Sequence, residues 1–372
     1  MIKVCHMTSA HEEEDIRIFR KECVSLAEAG YDVYLVERGD SYDKNGVHIV
    51  GVGEIPTSRL KRMTEGAKMV YQAARALDAD IYHFHDPELL PYGLKLKKAG
   101  KKVIFDSHEM YTEQIREKPY LPHWFARLLS HAYGKYESHV LGRIDGLVYT
   151  CLKDGVHPFA GKCRHITTID NTPMLWELYD RYDPAAKKEA GSVVYVGGLS
   201  YARGITHLIT AAAKADCTLY LAGMFDSEEY RHTVEALPGY SCVQYLGLLG
   251  REQVVALLQR CCVGAATLLN IGQYNQDDNL ATKVYEYMSL GIPVLLSRSA
   301  YNERVMNQYH FGLCVEPDNV DELAQAIRYL LDHPVEARQM GENGRRAVEQ
   351  QFNWGVEEKK LLALYNDILN DK

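Results

Sequence analysis

Residues 279–297 read NLATKVYEYMSLGIPVLLS, and the reading of this stretch decides the rest of the chain. Asn279 and Thr282 are residue types that cap a helix start, while Gly291 and Pro293 end one. The run 294–297, VLLS, then reads as a strand. The stretch is therefore a short helix turning sharply into a strand, the αβ step of a parallel α/β unit. Lys283 falls in the first helical turn, and Glu286 lies three residues on, on the same face. Helix starts favour anions, because free N–H groups and the helix dipole point there, so a cation there calls for a bound anion as well. The bland reading is a solvated Lys–Glu pair, worth about 0.3–0.5 kcal/mol. The sharper one is a ligand with phosphate for Lys283 and paired hydroxyls for Glu286.

Strand and helix patterns alternate on both sides of this stretch. In the first half, IKVCHMT, DVYLVE, DIYHFHD, KKVIFDSHE and GLVYT read as strands. Arg17–Ala29, Arg59–Leu77, Leu89–Ala99 and Leu121–Leu141 read as helices between them. The texture changes over 166–192, a mixed polar stretch with two prolines, and a domain boundary is expected there. A second alternation then runs from SVVYVGG at 192–198 to the helices at 321–332 and 334–351, with a last helix over 354–369. Two halves wired alike predict two doubly wound, Rossmann-like α/β domains facing a cleft.

The chain has 372 residues, more than one core usually holds, and its formal net charge of −8 argues against nucleic acid as a partner. Nine cysteines with no CxxC spacing read as reduced thiols. The start, MIKVCHMTSA, lacks the apolar core of a signal peptide, and no apolar run reaches the roughly 20 residues of a membrane span. A cytoplasmic protein is expected.

Ligands of doubly wound sheets bind beyond the carboxyl ends of the strands. There, 193–204 reads VVYVGGLSYARG, with Gly197 and Gly198 able to bring backbone N–H groups close to a phosphate and Arg203 as a cation. A glycine-rich turn with a surface arginine is the plainer alternative. In the first half, Ser9–Ala10–His11 follows the first strand. His83 and His85 share a face of DIYHFHD, with Asp86 beyond, and FDSHE places Asp106, His108 and Glu109 at another strand end. These suit an acceptor site. Single histidines are more often hydrogen-bonded core residues, and HxH with Asp106 is also a metal-ligand spacing. The expectation is no metal, because two open sheets are not the barrel that usually carries such a site. No GxSxG, HExxH or Walker loop is present.

HFHDPELLPYGLKLKKAGKKVIFDSHE, VYVGGLSYARG, KVYEYMSLGIPVLLS and the tail GLCVEPDNVDELAQAIRYLL resemble the family 4 glycosyltransferases, of the bacterial capsule and exopolysaccharide type. The resemblance implies the two-domain GT-B fold. An acceptor-binding domain would span 1–172, with the helix 354–372 packing back on it, and a nucleotide-sugar-binding domain would span 185–352. It implies transfer with retention, from a nucleotide diphosphate sugar to a hydroxyl of a glycan or lipid-linked acceptor, with no cofactor required. Glu286 matches the ribose-binding glutamate, Lys283 and Arg203 the basic pair at the diphosphate, and His108 the histidine near the transferred sugar. Two departures stand out. Asp278 replaces the first glutamate of the family's E-x7-E pattern, so Asn279 can share its contact with the sugar. Gly198 stands where many relatives have an arginine. Donor-site residues are therefore expected to be Gly197, Gly198, Arg203, Asn279, Lys283 and Glu286. Catalytic ones are expected to be His108, Asp278 and Glu286, and acceptor contacts His11, His85, Asp106 and Glu109.

Two rivals keep the fold: a nucleotide-sugar epimerase, and a non-catalytic nucleotide-sugar-binding partner in an assembly complex. The basic runs RLKR (59–62) and KLKKAGKK (95–102), with WFARLL (124–129), suggest peripheral contact with an anionic membrane, against the plainer reading of solvated helix faces.

Overall fold

The structure is a computed structural model that describes residues 1–116, 118, 121–271, 275 and 278–371. The chain divides into two compact units. Met1–Cys151, Val156–Asn171 and Gly355–Lys372 form the first, and Leu152–Gly155 with Thr172–Trp354 the second.

The first unit is built on eight strands: β1 Lys3–Met7, β2 Asp32–Glu37, β3 Tyr42–Lys44, β4 Val47–Gly51, β5 Ile81–Phe84, β6 Lys102–Ser107, β7 Gly146–Tyr149 and β8 His165–Thr168. Their order in the sheet is β3-β4-β2-β1-β5-β6-β7-β8. Only the β3–β4 pair is antiparallel. The strands β1, β5, β6 and β7 are buried almost throughout, which is why they read as unbroken apolar runs. The order reverses between β1 and β5, so a topological switch point lies beyond their carboxyl ends.

The second unit holds six parallel strands: β9 Ser192–Val196, β10 Thr218–Ala222, β11 Val243–Tyr245, β12 Val263–Ala266, β13 Val294–Ser297 and β14 Gly312–Val315. They are ordered β11-β10-β9-β12-β13-β14, the doubly wound order, with its switch point between β9 and β12. Apolar residues cover both faces of this sheet. Val193, Tyr195 and Leu219 pack on one side and Val194, Ala222 and Leu296 on the other.

Several local expectations change. The stretch 40–51 holds a strand pair that the alternation of longer elements hid. It turns at Asn45 and Gly46, both with positive φ (50° and 77°). The expected linker over 166–192 begins inside β8, the edge strand of the first sheet. The expected helices at 17–29 and 59–77 are each composite. Wide π-type turns over Ile16–Cys23 and Arg62–Gly66 precede α-helical Val24–Glu28 and Ala67–Ala76. All nine cysteines are free thiols. Among the described residues, no helix is long and apolar enough to cross a membrane.

Candidate functional site

In the second unit the helix expected at the opening stretch spans Thr282–Ser289. Its capping differs from expectation. The N-cap position is Ala281, and neither Asn279 nor Thr282 caps the helix through its side chain. The first-turn N–H groups therefore keep the unsatisfied character that attracts an anion. Tyr287 fastens this helix to the end of β9, and Tyr195, in β9 itself, braces the turn that follows. The Tyr287 hydroxyl accepts from the Val196 N–H at 3.1 Å, and the Tyr195 hydroxyl donates to the Gly198 carbonyl at 3.0 Å.

These ties bring Lys283 against the glycine turn. Its side chain is buried (7% exposed), with Nζ 3.4 Å from the centre of the Tyr195 ring. Among the described residues that Nζ has no hydrogen-bond partner. Burial pushes the amine well below its ordinary pKa, the nearby Arg203 lowers it further, and Glu286 raises it in part. A side chain on Gly197 would meet Lys283 Nζ at 3.1 Å and Arg203 Nη1 at 3.8 Å. The backbone of Gly197 is thus flanked by both cations, and its φ of 132° demands glycine. The turn is held from below as well, since a Cβ on Gly223 would lie 1.9 Å from the Gly197 carbonyl oxygen. The amides of Gly197 and Leu199 are spent on Ala222 and Met224. Beside the turn lies a cavity of about 600 Å³, lined among others by Gly198, Tyr201, Arg203, Met224 and Asp226.

Glu286 does not pair with Lys283. It accepts from Arg251 Nη1 at 2.5 Å and is 15% exposed. Arg251 and Tyr195, which contact Glu286 and Lys283, are residues that the motif reading missed. Arg251 opens the helix Arg251–Arg260 directly after Gly250, a strand–glycine–helix signal that could have marked it. Asp278 has one carboxylate oxygen committed, accepting from the Gly155 N–H at 2.6 Å with Arg304 at 3.4 Å. Its other oxygen and the half-buried Asn279 remain at the entrance to the same helix.

In the first unit the predicted polar strand ends do come together, but as an interior network. His6 and His83 are cross-strand partners in β1 and β5, and His85 follows two residues on. All three are fully buried. Arg17, from the turns after β1, grips Asp106 with two bonds, Nε to Oδ2 at 2.9 Å and Nη2 to Oδ1 at 3.1 Å. It also donates to the Ile169 carbonyl at 3.0 Å and lies 3.2 Å from Glu22. Burial opposes the Asp106 charge, but Arg17, His108 and His85 hold its pKa well below the usual carboxylate range. Burial, and then the charge of Asp106, push Glu22 well above that range. Arg17 and Asp106 thus form the tighter, two-bonded ion pair, with Glu22 beside it. His6, Glu22, His83 and His85 bring ligand-type atoms within 4.8 Å of one another.

His85 and Asp106, expected as acceptor contacts, are therefore interior, because the sheet folds their faces under the helices. The half-exposed groups at this switch point are His11 and His108, with ring centres 4.7 Å apart. Each is backed by a buried carboxylate. His108 Nε2 lies 3.2 Å from Asp106, and His11 Nδ1 lies 3.2 Å from Asp86. Asp86 also accepts from the Ser9 N–H at 2.6 Å and the Thr8 hydroxyl at 2.9 Å. Burial raises its pKa, but His11, Ser9 and Thr8 hold it down at about 2. Burial lowers the His11 pKa, and the bond to Asp86 outweighs that and raises it. Glu109 is exposed, next to His108.

Comparison with known proteins finds two family models that each match part of the chain. Residues 180–347 match the model for glycosyl transferases group 1, and residues 19–152 match the model for Glycosyltransferase Family 4. An MMP alpha-(1->4)-mannosyltransferase of Mycolicibacterium hassiacum is 29% identical over 169 residues. That alignment covers 44% of this chain and 39% of the relative, so the match spans less than half of each. The sucrose-phosphate synthase of Thermosynechococcus elongatus superposes with a TM-score of 0.75 at 18% identity, covering 100% of both chains. Anabaena HepE, solved in complex with UDP, superposes with a TM-score of 0.70 at 14% identity, covering 98% of this chain and 99% of that one. These structural likenesses, with two parallel-sheet α/β units, identify the fold as GT-B.

Proposed function

We propose that this chain, with the GT-B fold and both glycosyltransferase family regions, moves a sugar from a UDP- or GDP-sugar to a hydroxyl of a glycan or lipid-linked acceptor. The observation that carries the reading is Lys283, a buried amine whose Nζ has no hydrogen-bond partner among the described residues, beside a glycine turn and a second cation. Burial without a counter-charge disfavours its charged form, and a bound anion would restore that form. A diphosphate does so, with Arg203 and the helix start as further support. Glu286 would take the ribose hydroxyls, exchanging part of its bond to Arg251, and Asp278 with Asn279 would meet the sugar.

In the transfer step the bond between the anomeric carbon and the diphosphate breaks as charge grows on the leaving oxygen. Lys283 and Arg203 stabilise that charge, and one such donor contributes about 10²–10³ in rate. The acceptor hydroxyl attacks the same carbon, and its proton passes to the departing phosphate. His108 orients the sugar, while His11 and Glu109 contact the acceptor. Retention at the anomeric carbon and a place in cell-surface polysaccharide assembly follow the family 4 resemblance. Peripheral membrane contact is supported by Trp124 and Leu128, which are 70% and 59% exposed on the helix His123–Leu141.

The test is release of UDP or GDP from a panel of nucleotide sugars in EDTA, with and without a bacterial lipid extract as acceptor. Acceptor-dependent release from one donor is expected. A changed sugar with donor alone would mark an epimerase instead. Neither binding nor release with any donor would sink the proposal.

A further inference from the structure

Inside the first unit, three histidines and a glutamate form a closed set of ligand-type groups. His6 lies in β1 and His83 in β5, His85 follows β5, and Glu22 comes from the wide turns Ile16–Cys23. All four side chains are fully buried. Each offers one nitrogen or carboxylate oxygen, and these atoms lie within 4.8 Å of one another. A tetrahedral ion with bonds of about 2.1 Å holds its ligand atoms about 3.4 Å apart. The spacings here bracket that value. His6 Nδ1 is 3.0 Å from His85 Nε2 and 4.0 Å from Glu22 Oε2, and His83 Nδ1 is 3.9 Å from the same oxygen. Glu22 Oε2 and His83 Nε2 have no hydrogen-bond partner among the described residues, whereas buried polar atoms are nearly always bonded. Charge points the same way. Glu22 and Asp106 are two buried carboxylates that share one guanidinium, Arg17, and Asp106 takes both of its stronger bonds. One negative charge is left over. A proton on Glu22 would answer it, and so would a cation held by the three imidazoles.

We propose that His6, Glu22, His83 and His85 bind a structural divalent ion of the zinc class, tying β1, β5 and the turns after β1 to one another. Four nitrogen and oxygen ligands suit Zn²⁺, and full burial closes the set to water, as in a structural rather than a catalytic site. Metal-bound histidines donate through their other ring nitrogen to a fixed acceptor, and those acceptors are in place. With His6 bound through Nδ1, its Nε2–H meets the Tyr365 hydroxyl at 3.1 Å. With His85 bound through Nε2, its Nδ1–H meets Asp106 Oδ2 and His108 Nε2, each at 3.3 Å. Arg17 Nε lies 3.2 Å from Glu22 Oε1, which leaves Oε2 to face His6 and His83. The set differs from the spacing seen in the sequence, which joined HxH to Asp106. Asp106 is turned to Arg17, and His6 and Glu22 stand in its place. Because no ligand reaches the surface, the ion enters as the first unit folds, and a chelator reaches it only through unfolding.

Neither the site nor its test depends on the transferase reading. The full chain, free of any purification tag, is expressed in medium with added Zn²⁺ or Co²⁺, passed over a chelating resin and analysed for metal. Stoichiometric zinc should remain, and the cobalt form should show the intense visible bands of four-coordinate Co²⁺. Glu22→Gln keeps the shape of the side chain and removes the charged ligand, so it should bind the ion at least about 10-fold more weakly and lose it to the resin. His108→Ala disrupts the other group of ligand-type atoms, His85, Asp106 and His108, and should keep the ion. Parent protein with zinc far below stoichiometry, or with cobalt lacking those bands, would overturn the site and leave a proton on Glu22 as the answer. So would an ion kept by Glu22→Gln or lost from His108→Ala. Should Glu22→Gln fail to fold, the cobalt bands decide: their presence in both the parent and His108→Ala supports the site, and their absence from either overturns it.

Discussion

The two units carry their charges at the same place in the fold and treat them in opposite ways. Each has a switch point beyond the carboxyl ends of its central strands, between β1 and β5 or between β9 and β12. At the first, Arg17 is answered by Asp106 and the histidines answer one another. At the second, Lys283 is equally buried, lies on the face of a tyrosine ring and has no hydrogen-bond partner among the described residues. A charge satisfied from within holds side chains in place. A buried cationic side chain without such a partner favours a bound anion, and that asymmetry is what the proposed diphosphate site rests on.

The largest effect should follow from breaking the satisfied charge. Arg17→Met leaves the Asp106 carboxylate buried and unpaired, and should cost about 3–5 kcal/mol in the urea unfolding of the first unit. Lys283→Ala should do the reverse. Turnover should fall by about 10²–10³ in kcat/KM, while the melting temperature without nucleotide stays level or rises. A Lys283→Ala protein that melts well below the parent would show that Lys283 belongs to the scaffold after all.

Asp86 sharpens the comparison through pH. Its folded pKa of about 2 lies below the unfolded value of 3.8. Its contribution is therefore present above pH 3.8 and is lost as pH falls through about 2. Asp86→Asn should cost about 2 kcal/mol at pH 6, and the gap to the parent should narrow steadily in unfolding curves taken from pH 4 downward. A gap independent of pH would mean that Asp86 acts by packing alone. The raised pKa of His11 works in the opposite sense: its share is full below about pH 6.5 and fades as pH rises through the folded value.

The smallest stability effect should come from Glu286→Ala. Its bond to the half-exposed Arg251 is worth at most about 1 kcal/mol. Donor KM should nonetheless rise about tenfold, as expected for loss of one charged hydrogen bond of about 1.5 kcal/mol. Equal losses in stability and in KM would remove the ribose role.

Much of this was legible in the sequence, and what was not has physical reasons. The buried parallel strands announce themselves because both of their faces are covered, giving runs such as VVYV and PVLL. β3, the edge strand, is three residues long and mostly polar, so the clearest signal of the β3–β4 hairpin is the Asn45–Gly46 turn. β8 was lost in the polar texture of the stretch after it. Lys283, Arg203 and the glycine turn could be read from motif spacing, because they belong to two short segments. The histidine cluster could not, because it joins His6 and His83 to a tyrosine 280 or more positions away, on the last helix. Arg251 escaped for the same reason, since it meets Glu286 from a separate helix. Periodicity reports which face a residue lies on. It does not report which distant residue answers it.

The central claim, that the unsatisfied Lys283 marks a nucleotide diphosphate site, is tested most directly by calorimetric titration of UDP and GDP. The titrations are run in EDTA against the parent protein and against Lys283→Ala. The account predicts saturable, one-to-one binding of one of the two nucleotides to the parent and at least a 10²-fold weaker affinity in the variant, the loss of about 2.7 kcal/mol. Equal affinity of parent and variant for the nucleotide would contradict it.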